Sequence, residues 1–338
     1  MKRLRYFLLL FPLLFTSCIT EEVAPDTIPG NFYALWKIVD QRYCFFQEKA
    51  DEYGLDWREK FEQHQLNLTA GMTNEQLFEV CGNLLAELRD GHVNLYAAHD
   101  VARYWKWFED YPANFSDSLQ RRYLGTDYRI ASGIKYKILD DNIGYIYCGS
   151  FESEAGSGNL SEIFRYLAPC NGVIVDVRNN SGGMLTAAEK LASCFTNKEI
   201  TVGYMSHKTG PGHDAFSAPQ AIKMKPAEGM RWQKDVVVLT NRSSYSAANS
   251  FVMYMKACPN VTTVGDRTGG GAGMPFLSEL PNGWTVRFSA CPMYDTQMVC
   301  TESGIDPDVK VDISSADYNA GRDTILEEAR RLLHKRID

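Results

Sequence analysis

The segment DVVVLTNRSSYSAANSF, residues 235–251, runs from an apolar stretch through closely spaced serines into a helix of small residues. Residues 235–240 contain the apolar run VVVL and are predicted to form a buried strand, and residues 247–257 are predicted to form a helix. A serine at this junction either caps the helix or, at the positive end of the helix dipole, acts as a nucleophile. Local sequence alone leaves both interpretations open.

Other parts of the chain alternate in the same way between predicted strands and helices. Strands separated by helices imply parallel pairing, so the fold class is predicted to be α/β. Buried strands are predicted at 172–176, 235–240 and 261–265, helices at 160–167, 185–195, 247–257 and 323–335, and hairpins at 134–151 and around 281–283.

The order of these patterns predicts five segments. In the N-terminal helical region at 31–96, Thr73 and Gln76 should form a capping box. No structure is predicted for the connecting segment at 97–133. The segments are a signal peptide at 1–18, a flexible tether at 19–30, an N-terminal helical region at 31–96, a connecting segment at 97–133 and an α/β core at 134–338.

The first eighteen residues, MKRLRYFLLLFPLLFTSC, predict export. A basic start precedes an apolar run that is too short to span a bilayer, which is typical of a secretory signal. The end of this stretch resembles a bacterial lipobox, in which Cys18 carries the lipid that tethers the protein to a membrane. A plain signal peptide with an incidental cysteine is the alternative. A Gram-negative-type cell envelope is expected, with the membrane face left open.

Composition excludes several classes of partner. The net charge is −7 and no basic cluster occurs, which argues against nucleic acid. Of the nine cysteines, the eight after Cys18 form no C-x-x-C pair, and most lie in apolar runs. We therefore expect free, buried cysteines and no metal site.

Two further stretches carry residue types suited to catalysis. In VDVRNNSGG, residues 175–183, the paired Gly182 and Gly183 can aim backbone N–H groups at an anion, although a structural turn would use the same residues. Arg178 and Asn180 in this stretch are candidate cleft residues. The N–H of Ala247 is a second candidate oxyanion donor.

A nucleophilic serine needs a base, and six histidines compete for that role. His92 follows Gly91 at a predicted helix-to-strand junction, where functional side chains are often displayed. His64 and His334 lie in charged helical sequence and are expected to be solvated. His207 and His213 form a polar cluster in a Gly/Pro loop, and His213 is a candidate cleft residue.

Five motifs taken together resemble peptidase family S41, the tail-specific and tricorn-like serine peptidases. They are LRDGH, VDVRNNSGG, SYSAAN, VGDRTGGG and ESGIDPD, in the family order between about residues 88 and 309. The resemblance implies a ClpP/crotonase-like ββα core that acts on peptide or protein substrates without a metal or organic cofactor. It also implies a site with Ser246 as nucleophile, His92 as base, Glu302 orienting His92, and Ala247 with Gly182 or Gly183 stabilising the oxyanion.

The chain departs from the family pattern in several places. The glycine-rich segment 268–273, which begins with Thr268 and Gly269, contains no lysine. The serine–lysine dyad of many tail-specific members is therefore expected to be absent. Gly91 stands where the tricorn-like branch has a serine, and Asn249 replaces the acid that ends the nucleophile motif. Gly91, Asn249, Thr268 and Gly269 are candidate cleft residues. No peptide-binding PDZ module is expected between His92 and residue 134.

The sequence therefore favours an exported serine endopeptidase and leaves two alternatives open. A peptidase-shaped binding protein would bind peptides equally well after Ser246→Ala, and the departures at Gly91 and Asn249 favour it. An ester hydrolase would turn over esters without cleaving peptides. Oligomeric state is not predicted.

Overall fold

The computed structural model of the protein describes residues 24–335. The predicted signal peptide, Cys18 and the first residues of the predicted tether lie outside this range. Among the described residues, no helix is both long enough and apolar enough to cross a membrane. The expectation of a membrane anchor therefore rests on the sequence.

The N-terminal region, predicted to be helical, contains four helices in the structure. The first begins inside the segment predicted as a tether, because Thr27 caps it by accepting the Gly30 N–H at 3.1 Å. The fourth begins at the predicted capping box, in which the Thr73 and Gln76 side chains each accept the other residue's backbone N–H. These helices are α1 (Ile28–Arg42), α2 (Phe46–Tyr53), α3 (Trp57–Gln65) and α4 (Asn74–Ala86).

The remaining elements alternate between strands and helices, which confirms the predicted α/β class. The strands are β1 (Asn94–Tyr96), β2 (Val101–Arg103), β3 (Arg129–Ala131), β4 (Ile134–Ile138), β5 (Ile143–Tyr147), β6 (Gly172–Asp176), β7 (Ile200–Met205), β8 (Gln220–Met224), β9 (Val236–Thr240), β10 (Val261–Gly265), β11 (Pro275–Glu279), β12 (Thr285–Ser289), β13 (Met293–Tyr294) and β14 (Val309–Lys310). The helices are α5 (Lys106–Glu109), α6 (Asp117–Leu124), α7 (Ser157–Leu167), α8 (Leu185–Ala192), α9 (Ala247–Lys256), α10 (Ser315–Asn319) and α11 (Thr324–Lys335), with a 3₁₀ turn at Ser193–Phe195.

A seven-stranded sheet in the order β14-β10-β9-β6-β5-β4-β3 forms the centre of this part. Strands β5, β6, β9, β10 and β14 are parallel, and β3 and β4 pair with antiparallel neighbours. Side chains of β6 alternate between the two faces of the sheet. Val173 and Val175 join the same core as Phe251 of α9, while Ile174 packs with Ile325 of α11. Because both faces are covered, the central strands are continuous apolar runs.

A four-stranded antiparallel sheet, β11-β12-β1-β2, joins the N-terminal region to the α/β part. Strand β1 pairs with β12, so that Asn94 lies opposite Arg287. The predicted turn at 281–283 connects β11 to β12, and Gly283 has the positive φ that this turn requires (81°). This pairing fixes the segment just before β1, which carries His92, against the C-terminal half of the chain.

The connecting segment at 97–133, for which the sequence predicts no structure, contains β2, α5, α6 and β3. The eight cysteines among the described residues are all free and seven of them are buried, which confirms the prediction. One cluster of buried side chains extends from the N-terminal helices into the α/β sheet, so these two parts share a core.

A buried ion-pair network ties the end of β6 to the start of α11. The Arg178 guanidinium lies 2.8 Å from Asp176 and 2.9 Å from Asp323, and these three side chains are at most 1% exposed. The Tyr145 hydroxyl donates to Asp176 at 2.8 Å. The prediction that Arg178 lines a cleft is therefore wrong, because both of its carboxylate partners hold it inside the core.

We expect Arg178→Met to destabilise the protein by about 3–5 kcal/mol, because it leaves two buried carboxylates without a counter-charge. Thermal and urea unfolding followed by circular dichroism would measure the loss. The matched control is Arg165→Met, which removes an exposed ion pair with Glu162 and should cost at most about 1 kcal/mol. Equal effects of the two substitutions would contradict a structural role for Arg178.

Candidate active site

Ser246 occupies the junction between β9 and α9, where it takes a strained backbone conformation. Its φ is 56° and its ψ is −120°, a combination that non-glycine residues rarely adopt. Its side chain makes no capping hydrogen bond to α9. The Ser246 Oγ instead lies 3.0 Å from Nε2 of His92. For Ser246 the capping interpretation is therefore wrong, and the strained turn presents its hydroxyl to a base.

The loops that follow two neighbouring strands hold this turn in place. The Ser246 N–H donates to the Gly270 carbonyl at 2.8 Å, and the Tyr245 N–H donates to the Asn180 carbonyl at 3.0 Å. Gly182 approaches so closely that a Cβ there would lie 2.8 Å from Cβ of Ser246. Residue 182 must therefore be glycine, both for this contact and for its φ of 102°.

His92 is held at the site by its own backbone. Its N–H donates to Oδ1 of Asp90 at 2.7 Å, and the Oδ2 atom of Asp90 accepts from the hydroxyls of Tyr43 and Ser289 at 3.1 and 3.0 Å. The His92 side chain is buried. Burial lowers the pKa of His92 to about 4, and the nearby Asp90 carboxylate opposes this fall. The imidazole is therefore neutral at pH 7, the state in which it can accept a proton.

Glu302 lies near His92 in the fold but contacts a different partner. Its carboxylate is 3.4 Å from Nζ of the buried Lys49, and it accepts the Ala272 N–H at 3.0 Å. Burial, and then the Asp90 carboxylate, raise the pKa of Glu302, while the Lys49 ammonium opposes the rise. Nδ1 of His92 has no hydrogen-bond partner within residues 24–335. The two side chains are therefore not hydrogen-bonded to each other, so the structure does not show the contact by which Glu302 was expected to orient His92.

Backbone N–H groups near Ser246 differ in their availability. The Gly182 N–H already donates to Oδ1 of Asn180 at 2.9 Å. The N–H groups of Gly183 and Ala247 have no hydrogen bond in the described part of the chain. Ala247 is the first residue of α9, so its N–H has no intrahelical acceptor. Of the two glycines predicted as oxyanion donors, Gly183 is thus the one with a free N–H.

Asn249, which replaces the family's acid, is fully bonded inside the protein. Its amide nitrogen donates to the Thr301 carbonyl at 3.1 Å, and its amide oxygen accepts from the Thr268 hydroxyl at 2.6 Å. The Thr268 hydroxyl oxygen in turn accepts the Ile305 N–H at 2.6 Å. Neither Asn249 nor Thr268 lines the cleft, contrary to prediction. Both fix the backbone that carries Glu302.

The other predicted cleft residues divide into two groups. Gly91 and Gly269 line a cleft of about 340 Å³, which also contains Glu302, Lys49 and Tyr245. Asn180 and His213 do not line it. Asn180 is buried, and its amide nitrogen donates to the Cys148 carbonyl at 2.9 Å. His213 lies at the surface, 2.8 Å from Asp40 and stacked on Phe46 at 4.2 Å.

Three residues at the site were not assigned a role from the sequence. Asp90 and Tyr245 belong to the quoted motifs LRDGH and SYSAAN, so their proximity to the site could have been anticipated. Lys49 is in the N-terminal helix α2, and no local pattern connects it with Glu302. No group of three or more potential metal-ligating His, Cys, Asp or Glu side chains is found between residues 24 and 335.

This arrangement is that of a serine-type hydrolase: a serine on a strained strand-to-helix turn, hydrogen-bonded to a neutral buried histidine. Comparison with known proteins identifies the family. The family model described as Peptidase family S41 matches residues 142–311, half of the chain. The chain belongs to peptidase family S41, and relatives that match it are named as proteases, among them CtpA-like serine proteases.

Individual relatives agree with this assignment. Carboxy-terminal processing protease CtpA of Bacillus subtilis is 27% identical over 181 residues, which are 52% of this chain and 36% of that protein. A tricorn-like protease C-terminal subunit assigned in Sulfurisphaera tokodaii is 30% identical over 186 residues, 53% of this chain and 19% of that protein. The chain thus spans about a third or less of the length of these curated relatives.

A solved structure resembles the chain over nearly its whole length. It is that of a candidate peptidase from Parabacteroides merdae, with 49% identity and a TM-score of 0.87. The match covers 91% of this chain and 97% of that one. The N-terminal helices and the connecting segment therefore belong to an architecture that a second protein shares.

Proposed function

We propose that the protein is an exported serine endopeptidase that hydrolyses peptide bonds in polypeptide or peptide substrates. The hydrogen bond of 3.0 Å between Ser246 Oγ and His92 Nε2 carries this proposal. It joins two residues 154 positions apart, and neither side chain has another hydrogen-bond partner in the described residues. Family membership supports the choice of a peptide bond as the target.

In the proposed reaction, neutral His92 accepts the hydroxyl proton of Ser246 while the oxygen attacks the substrate carbonyl carbon. The protonated imidazole then gives this proton to the leaving amine, and an acyl-enzyme forms on Ser246. Water, deprotonated by His92, attacks the acyl carbon in the second half of the reaction. The proton returns to Ser246 as the acid product leaves, so the enzyme is restored.

Two backbone N–H groups are suited to stabilise the negative oxygen that forms in each half-reaction. We assign this role to Gly183 and Ala247, because their N–H groups have no other acceptor among the described residues. Donors that are already oriented stabilise developing charge without reorganisation, and one such donor is worth about 10²–10³ in rate. Asn180 supports them by holding the preceding Gly182 N–H at 2.9 Å.

Ser246→Ala should abolish peptide cleavage and labelling by a fluorophosphonate probe, because the His92 ring is hydrogen-bonded to no other hydroxyl or thiol group between residues 24 and 335. His92→Ala should slow labelling by about 10²–10⁴-fold, the usual contribution of a general base. Mass spectrometry of the labelled protein would locate the modified residue. Ser243→Ala, in the same segment, is the matched control and should react like the wild type.

Three results would overturn this proposal. Labelling that persists in Ser246→Ala would assign the nucleophile elsewhere. Peptide binding without cleavage or labelling, unchanged in Ser246→Ala, would favour the binding-protein alternative, which the unpartnered Nδ1 of His92 supports. Ester turnover without peptide cleavage would favour the ester-hydrolase alternative.

The rate of labelling should remain high in mild acid. Only neutral His92 can accept the proton, and burial lowers the pKa of His92 from 6.5 to about 4. As the pH falls, reactivity should therefore be lost near pH 4 and not near pH 6.5. Circular dichroism at each pH separates this loss from unfolding, and His334→Gln, at an exposed histidine, is the control. A midpoint near 6.5 would mean that His92 is solvated in the working enzyme.

We also propose export and lipid attachment at Cys18, on the basis of the apolar run and the small residues that precede this cysteine. Expression in a Gram-negative host with radiolabelled palmitate should give a labelled, membrane-associated protein. Cys18→Ala should lose both the label and the membrane association. Cys44→Ala, at a buried cysteine, is the control. A protein that is exported but carries no label would contradict the anchor and leave a plain signal peptide.

A further inference from the structure

Two buried polar atoms beside the proposed base have no hydrogen-bond partner among the described residues. They are Nδ1 of His92 and the hydroxyl oxygen of Tyr245. For Nε2 to accept the Ser246 proton, Nδ1 must carry the other ring hydrogen. A buried N–H without an acceptor is costly, by about 1–3 kcal/mol, so the working site requires an acceptor at this position.

Tyr245 is placed to supply that acceptor. Its ring centroid lies 4.9 Å from that of His92, at an angle of 54°. Trp107 also stacks on the Tyr245 ring, with the centroids 4.0 Å apart, and restricts its plane. A phenol oxygen can accept one hydrogen bond while its own hydrogen is donated elsewhere. Nδ1 can donate to this oxygen only if the two rings shift toward each other while Nε2 keeps its contact of 3.0 Å with Ser246 Oγ.

Gly91 provides the space for the phenol. A Cβ at Gly91 would lie 2.8 Å from the Tyr245 hydroxyl oxygen and 2.6 Å from Nε1 of Trp107. Such contacts are too short for a real Cβ, so a side chain at residue 91 and the phenol at its present place exclude each other. The Tyr245 hydroxyl thus occupies the volume next to His92 that a serine at residue 91 would fill.

Neither of the two carboxyl groups near the site is hydrogen-bonded to the His92 ring, so each could stabilise the ring only through another group. Asp90 is engaged by the His92 backbone N–H, Tyr43 and Ser289. Glu302 is engaged by Lys49 and by the Ala272 N–H. Burial, then the Asp90 and Glu302 carboxylates, raise the pKa of the Tyr245 phenol. The phenol therefore keeps its proton and lies within the electrostatic influence of both carboxyl groups.

We propose that Tyr245 is the positioning residue for His92 in this chain. Its hydroxyl oxygen accepts the hydrogen bond from Nδ1–H, and its own hydrogen is directed toward the Asp90 and Glu302 carboxylates. This arrangement selects the tautomer with a free Nε2 and stabilises the imidazolium that forms after proton transfer. The inference rests on the proposed function, since it describes how the base of that site is held.

Tyr245→Phe tests the inference because it removes only the hydroxyl and retains the ring that stacks on Trp107. We expect kcat to fall by about 10- to 100-fold, the worth of one hydrogen bond to a charged group, with KM little changed. The acid limb of the rate should shift to lower pH, because the imidazolium loses an acceptor while Asp90 and Arg287 still act on it. Tyr254→Phe, at a buried tyrosine of α9, is the matched control and should behave like the wild type.

The tautomer of His92 gives a readout independent of activity. In ¹⁵N-histidine NMR spectra we expect Nδ1-protonated His92 in the wild type, with a downfield proton that Tyr245→Phe loses and Tyr254→Phe keeps. An unchanged His92 signal and an unchanged pH profile in Tyr245→Phe would overturn the inference. If Ser246→Ala also retains activity, the proposed function fails as well; if only Tyr245→Phe is unaffected, the role of Tyr245 alone is excluded. No side chain among residues 24–335 is hydrogen-bonded to this hydroxyl, and the only backbone group that acts on it is the His92 N–H, which already donates to Asp90, so its removal should not prevent folding.

Discussion

The backbone of Ser246 is the constraint on which the site depends. A non-glycine residue with φ of 56° and ψ of −120° costs about 1–3 kcal/mol and persists only where its surroundings determine it. Here the determinants are two backbone hydrogen bonds, from Ser246 to Gly270 and from Tyr245 to Asn180. Each reaches a loop that follows a strand next to β9. The parallel sheet therefore sets the conformation that turns the hydroxyl away from α9.

Burial of His92 favours the neutral imidazole and disfavours the imidazolium. Exclusion of water keeps the imidazole neutral and able to accept a proton. The same exclusion penalises the imidazolium that must form next, so the surroundings have to stabilise it. Asp90 contributes charge close by, whereas Glu302 is neutralised by Lys49 across a contact of 3.4 Å. Of these two carboxyl groups, Asp90 is therefore the one that gives the base electrostatic support.

The departures from the family pattern have structural counterparts. Gly91 leaves room for the Tyr245 hydroxyl and for Trp107, which a serine Cβ would contact at 2.8 and 2.6 Å. Asn249 uses both ends of its amide, donating to Thr301 and accepting from Thr268. A carboxylate there could not donate to a carbonyl oxygen. Both departures are compatible with a packed and hydrogen-bonded site, because neighbouring side chains complement them.

The sequence by itself determined the features whose cause is local. Apolar runs predicted the buried strands, Thr73 and Gln76 predicted the start of α4, and the ordered motifs predicted the pair Ser246 and His92. Local patterns cannot reveal which charges meet in the folded chain. The motif around Arg178 predicts a cleft residue, whereas the folded chain buries Arg178 between two carboxylates. Only the tertiary structure decided that Glu302 pairs with a lysine 253 residues away, because that contact depends on helix α2 packing against the C-terminal half of the chain.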